Sequence, residues 1–357
     1  MIQAHVLDSW TRLDARGSWQ FSWAVIVAGF AAPLFLFCAG LSVALSAGSK
    51  LRRHGDAAAA ARAVMKRGCW ILLLAWLFRV QAWTLGWSHN AAALLKVDIL
   101  NVMGPSIVGA GAVWGLVHAK QKRALCIAFG AVALAIALGT PAVRASTALD
   151  ALPDPLENYL RPPRGLGWFS LFPWAGFVFA GAIPGVLLNY AQSRDEEARL
   201  NGGFAVAGLA TAAIAYAASF QPSVVGPSTF WGDSPAFFVI RTGVLTLTIP
   251  LAYAWNRAIV HASWSPMQQL GRTSLFIYWI HVEMVYGLIS LKIHKSMTHP
   301  QAWAAFAAFA VCMLGCSVLK DRVVRTMAGG QHAGHPFAGG RTMAHVNSSA
   351  TTRYVSS

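Results

Sequence analysis

Apolar stretches long enough to cross a bilayer recur along this chain, near 21–46, 68–86, 98–118, 124–143, 170–191, 201–220, 235–256, 272–291 and 301–319. A helix needs about 20 largely apolar residues to span the hydrocarbon core. The pattern therefore predicts an all-α integral membrane protein, a polytopic bundle of about nine transmembrane helices that forms one domain over 1–326. From Met327 the chain is rich in Gly, His, Ser and Thr and loses its apolar periodicity, which predicts a disordered tail over 327–357. His332, His335 and His345 in that tail read as solvated side chains rather than a metal tract. No short-period repeat is evident.

Composition agrees with the pattern. Of 357 residues 56% are hydrophobic and only 11% are charged, against roughly a quarter charged in soluble domains. The net charge of +15 invites a nucleic-acid partner, and its distribution argues against one. Eighteen Lys and Arg fall on one side of the predicted spans, among them Lys50, Arg52, Arg53, Arg62, Lys66 and Arg67, and eight fall on the other. Such asymmetry is topogenic and places the basic side, with the C-terminus, in the cytoplasm and the N-terminus outside. The five cysteines lie in or beside apolar runs, and none has metal-site spacing. They read as packing residues.

Few residues in such a chain are chemically capable, and ionisable groups within a bilayer are costly enough to raise a functional question each time. His5 and Asp8 stand at the mouth of the bundle. On a helix, positions i and i+3 share a face, so Asp8 can orient a His5 base or nucleophile; the alternative is an ordinary helix end. Pro33, inside 21–46, predicts a kink, and Gly29, Ala32, Ala39 and Gly40 allow close helix approach. Arg79 lies within a span, with Trp76 and Trp83 on its face. Asp98 is either its ion-pair partner or a plain helix cap, with Asn101 a turn further on. Ser274, Tyr278 and His281 share one helix face, and His281 sits near the midplane. Glu283 faces nearly the other way, and Arg241 is its candidate partner. Trp174, after Pro173, suits an interfacial belt. The segment 144–169, with its four prolines and its polar residues, predicts an ordered cap or a short surface helix.

Taken in order, His5-x-x-Asp8-x-Trp10, Phe30-Ala31-Ala32-Pro33-Leu34-Phe35-Leu36-Phe37-x-Ala39-Gly40, Asp98-Ile99-Leu100-x-x-Met103-Gly104, Phe172-Pro173-Trp174 and Leu270-Gly271-x-x-Ser274-Leu275-x-x-Tyr278-x-x-His281 resemble the membrane acyltransferases related to heparan-α-glucosaminide N-acetyltransferase, especially their bacterial relatives. The resemblance covers most of 1–320, and its last motif is shared with neighbouring acyltransferase families. It implies transfer of an acetyl or other acyl group from cytosolic acyl-CoA to a sugar amine or hydroxyl on the far side of a bacterial inner membrane. It implies His5 as the active-site histidine with Asp8 as its orienter, and Arg79, Asp98, Asn101, Trp174, Tyr278 and His281 as groups around the substrate. It implies acyl-CoA facing Arg52, Arg53, Lys66 and Arg67, although topogenic charge explains those residues equally well.

The implied partners are the bilayer, acyl-CoA and a glycan or other small acceptor, without metal or nucleic acid; a homo-oligomer is compatible with this. The family's first helix, with its basic-flanked Arg-Gly motif, has no counterpart here. A helix upstream of Met1 is therefore expected, ending in Met1-Ile2-Gln3-Ala4.

Two readings from other classes stand beside this one. In a transporter or flippase for a lipid-linked or small polar molecule, Arg79, Asp98, His281 and Glu283 would line a pathway. No inverted repeat supports it. In a structural membrane protein the same residues would only join helices.

Overall fold

Pro33 decides where the first long apolar run bends. A proline inside a helix lacks the N–H that would bond the carbonyl four residues earlier and clashes with that carbonyl, and here that position is Gly29. In the computed structural model, which describes residues 1–85, 94–117, 121–162, 169–223, 225–226, 228–259 and 264–332, the helix breaks there. Helix α1 covers Ile2–Trp10, α2 covers Trp19–Ala28, and α3 resumes at Ala31 and runs to His54. The predicted kink thus falls at Gly29 and Phe30, and Pro33 sits in the first turn of α3, where no intrahelical partner is lost.

Helices α4 (Ala57–Leu85), α5 (Ile99–Leu116), α6 (Lys122–Ala145) and a short α7 (Asp154–Leu160) follow. They lead to α8 (Leu171–Asn189), α9 (Arg194–Ala218) and α10 (Pro235–Ile259). A short α11 (Pro266–Arg272), α12 (Ser274–Tyr286) and a long α13 (His299–His332) complete the fold. No strand forms among the described residues; one isolated bridge joins Thr11 to Met297.

With α2 and α3 taken together, seven helical stretches among the described residues are long and apolar enough to cross a membrane: Trp19–His54, Ile99–Leu116, Lys122–Ala145, Leu171–Asn189, Arg194–Ala218, Pro235–Ala258 and His299–Met327. The chain is an all-α polytopic membrane protein. Two of the nine predicted spans are absent from the seven. The run 68–86 belongs to α4, whose 29 residues carry Arg62, Lys66, Arg67 and Arg79 along their length. The run 272–291 is broken: α12 has 13 residues, about 20 Å by helical rise, and gives way at Gly287 to a 3-10 turn over Leu288–Ile293. Helix α13 runs on to His332, six residues into the segment expected as a tail. Residues 333–357, including His335 and His345, lie outside the described residues.

Helices α3 and α8 form the closest seam in the bundle. A Cβ on Gly40 would lie 1.8 Å from the Val178 carbonyl oxygen, and one on Gly181 would lie 2.0 Å from that of Phe37. Lipid offers helices no hydrophobic drive to associate, so contact rests on van der Waals packing between small residues. The predicted role of Gly40 is realised there. The cysteines depart from expectation: Cys38, Cys69 and Cys312 are exposed rather than buried in packing.

The seam makes a sharp prediction. Gly40→Ala and Gly181→Ala each force backbone apart and will destabilise by about 1–3 kcal/mol or more. Gly202→Ala and Gly203→Ala, where a Cβ meets nothing within 4 Å, will be neutral or stabilising by up to about 1 kcal/mol through helix propensity. Thermal unfolding of the four variants in one detergent measures the difference.

Candidate functional site

The C-terminal end of a helix leaves carbonyls without intrahelical donors, and one of these, Val285 O at the end of α12, anchors the site. It accepts from Ser9 Oγ at 2.9 Å, Trp10 Nε1 at 3.3 Å and Ser290 Oγ at 2.6 Å. Backbone pairing extends the anchor, with Lys295 N donating to Ser9 O at 2.9 Å, Met297 N to Trp10 O at 2.9 Å and Arg12 N to Met297 O at 2.8 Å. Val6 and Trp10 then bury against Ile277, Val285, Phe309 and Met313, and Leu7 against Phe21, Ala24 and Ala302. With α1 held on these sides, His5 can occupy only one place.

That place is between two rings of α12. The His5 ring lies edge-on to His281 at 5.1 Å between centroids and to Tyr286 at 5.5 Å. His281 Nδ1 lies 2.6 Å from the Ile277 carbonyl, to which it donates; this leaves Nε2 buried without a hydrogen-bond partner. His5 Nδ1 is likewise buried and unpartnered. Burial pushes the His5 imidazole down to about 3, with His281 acting in the same direction. His5 is therefore a neutral ring with a nitrogen to spare.

Asp8 is not its orienter. The Asp8 carboxylate accepts from Tyr286 Oη at 2.9 Å, and Arg16 Nη1 stands 3.7 Å away. Arg16 also donates to the Asp8 carbonyl. Asp8 thus reaches His5 through Tyr286. Nothing in the spacing of His5 and Asp8 reveals this, because Tyr286 is 278 positions from Asp8.

A cavity of about 830 Å³ opens beside His5. His5, Asp8, Arg16, Gly29, Ala31, Arg144, Trp174, Trp231, Arg241 and Tyr286 line it. Trp174, expected in an interfacial belt, forms part of this wall and packs on Phe169 at 4.8 Å between centroids. Arg241, the expected partner of Glu283, instead places its guanidinium 3.9 Å from the Phe237 ring centre and faces the cavity. No ion pair joins it to Glu283 among the described residues.

A second cavity of about 820 Å³ follows one face of α3. Ala31, Leu34, Cys38, Ser42, Ser46 and Lys50 line it at helical spacing, with Arg67, Ile71, Met103 and Ser274 across from them. Lys50 is about 28 Å along the helix from Ala31, close to the thickness of a hydrocarbon core. Ala31 and Met1 line both cavities, so the two adjoin. Of the expected acyl-CoA-facing residues, Arg67 lines this groove, whereas Arg53 and Lys66 are exposed elsewhere. Arg52 is engaged by Asn189, donating to its backbone carbonyl at 3.1 Å. Lys50, the first residue of the basic loop 50–67 expected to face acyl-CoA, joins the groove.

The remaining expected substrate groups lie behind these walls. Arg79 and Asp98 pair at 2.6 Å, with side chains 13% and 7% exposed. Asp98 also caps α5, accepting from Leu100 N at 2.8 Å and Asn101 N at 3.1 Å, while Asn101 Oδ1 accepts from Asp98 N. The two readings of Asp98, ion pair and cap, hold together. Asn101 Nδ2 donates to Tyr159 Oη at 3.2 Å, which ties α5 to the cap helix α7. The Arg79 guanidinium makes a cation–π contact with Phe78 at 5.6 Å. Tyr278, 6% exposed, packs between Phe35 and His281. Arg79, Asp98, Asn101 and Tyr278 line neither cavity.

Asp98→Asn keeps a capping oxygen but strands the Arg79 charge. Removing one partner of a buried pair costs about 3–5 kcal/mol, and a lost cap alone costs about 1 kcal/mol. Asp98→Asn will therefore destabilise by about 3 kcal/mol, and adding Arg79→Met to it will recover part of that loss, as read by thermal unfolding of the single and double variants.

Residues 1–219 match the family model for heparan-alpha-glucosaminide N-acetyltransferase, catalytic. The match takes in His5, Asp8, the α3 groove, Arg144 and Trp174, while Arg241, His281 and Tyr286 lie beyond it. A comparison with curated proteins gives no match.

Proposed function

Because this chain belongs to the heparan-alpha-glucosaminide N-acetyltransferase family, we propose that it is a membrane acyltransferase that carries an acyl group, acetyl in the first instance, from an acyl-CoA at its basic end to an amine or hydroxyl acceptor in the His5 cavity. The observation that carries this reading is the junction at Ala31 of the groove from Lys50 and Arg67 with the cavity beside His5. In this reading a thioester arm lies along Cys38, Ser42 and Ser46 and passes Ala31 to reach the imidazole.

In this reading His5 acts as the general base. Because His5 lines the cavity as a neutral imidazole, a ring nitrogen turned to the cavity can take the proton of the acceptor's amine or hydroxyl. The acceptor heteroatom then bonds to the acyl carbon, the carbon–sulfur bond breaks, and the proton passes to the departing thiolate. His281 and Tyr286 hold the imidazole by ring contact, and Asp8 holds Tyr286. Positive-inside bias supports placing Lys50 and Arg67 in the cytoplasm and His5 on the far side, in a bacterial inner membrane. Transport without chemistry has no comparable support, since the candidate pathway residues Arg79 and Asp98 are locked in a pair away from both cavities.

Two measurements test the proposal. In proteoliposomes supplied with labelled acetyl-CoA and an amino sugar, His5→Ala will lower acyl transfer by about 10²–10⁴-fold, the usual worth of a general base. Equal activity in variant and parent would remove His5 from the mechanism. Ser46→Leu, which fills the groove well away from His5, will impair use of acyl-CoA while leaving acceptor binding intact. An unchanged KM and kcat for acyl-CoA would break the proposed path.

A further inference from the structure

The charged side chains lining the His5 cavity do not balance. Arg16, Arg144 and Arg241 face a single carboxylate, Asp8, and Arg16 already engages it. Arg144 comes from the last turn of α6 and Arg241 from the second turn of α10. Their Nε atoms are shielded from solvent without a hydrogen-bond partner, and neither forms an ion pair among the described residues. Asp233 acts on Arg144 through its charge without forming an ion pair with it, and its Oδ1 accepts from the N–H and hydroxyl of Thr229, both at 2.7 Å.

Arg161, a near neighbour, shows what a structural arginine looks like in this protein. It is bound by Glu157 at 2.6 Å, by Asp150 and by the carbonyls of Ser146 at 2.5 Å and Arg144 at 3.3 Å. Arg144 and Arg241 lack any such set. Both guanidinium groups instead lie against glycine: a Cβ at Gly232 would lie 3.5 Å from Arg144 Nη1, and one at Gly29 would lie 3.4 Å from Arg241 Nη2.

Partly buried cations that no ion pair holds are costly, and guanidinium forks match phosphate and carboxylate groups. We propose that Arg144 and Arg241 form an anion subsite of the His5 cavity and that the acceptor carries a phosphate or carboxylate beside its reacting amine or hydroxyl. The acceptor class is then an acidic sugar or sugar phosphate, with Trp174 and Trp231 on the same wall to receive the apolar face of a sugar ring. The assignment of this anion to the acceptor rests on the acyltransferase reading; the presence of an anion subsite does not.

Glucosamine 6-phosphate and glucosamine serve as the paired probes. By thermal shift on purified protein without acyl-CoA, glucosamine 6-phosphate will stabilise the parent and glucosamine will not, and Arg241→Gln or Arg144→Gln will abolish the difference. Without ligand, both variants will unfold close to the parent, because neither side chain is held by an ion pair among the described residues and Arg241→Gln gives up only its contact with the Phe237 ring. A fall in the midpoint as large as that of Arg161→Gln, which breaks a full set of ion pairs, would show a structural role and overturn the subsite. In the transfer assay, each variant will raise the KM for glucosamine 6-phosphate by about 10–100-fold, the worth of a charged hydrogen bond, and leave the KM for acetyl-CoA unchanged. A rise in the acetyl-CoA KM alone would assign the anion to the donor and overturn the acceptor claim. Equal binding of the two sugars by the parent would remove the subsite while leaving acyl transfer standing; binding selectivity without any acyl transfer would remove the enzymatic reading instead.

Discussion

One backbone carbonyl holds the candidate site together. Val285 O ends α12, and its position at a helix terminus leaves it without an intrahelical donor. Ser9, Trp10 and Ser290 satisfy it. An orphan carbonyl inside a bilayer costs several kcal/mol, so the chain gains by bringing α1 to it. Once α1 is docked, His5 meets His281 and Tyr286, and Asp8 meets Tyr286. The contacts that give the imidazole its surroundings all follow from that one unsatisfied group.

A second constraint sets the shape of the space around His5. Gly40 and Gly181 let the α3 and α8 backbones touch, and the helix is interrupted at Gly29 and Phe30, before Pro33. One face of α3 is thereby committed to α8, while another stays open as the groove from Lys50 to Ala31. The groove and the His5 cavity adjoin because the same short stretch, Gly29 to Ala32, forms the bend and the shared wall.

The departures from the sequence reading have a common origin. His5 and Asp8 share a helical face, which suggested a dyad, yet both side chains found better partners on α12. Arg241 and Glu283 have opposite charge in neighbouring segments, yet Arg241 turned to a ring and to open space. The run 272–291 has the composition of a span, yet Gly287 breaks it and a 3-10 turn follows. Pairing rules within one helix cannot register competition from a segment almost 300 residues away.

What the sequence determined by itself is local in its physics. Runs of apolar residues fix which segments enter the bilayer, because hydrocarbon admits little else. Pro33 fixes a break four residues upstream, and Asp98 with Asn101 fixes a helix start. Only the tertiary structure decided which polar groups meet. His5 with Tyr286, Lys50 with Arg67 across a groove, and Arg144 with Arg241 around one cavity join separate helices. Such meetings depend on how helix faces rotate and approach, and packing between small residues and orphan backbone groups controls both.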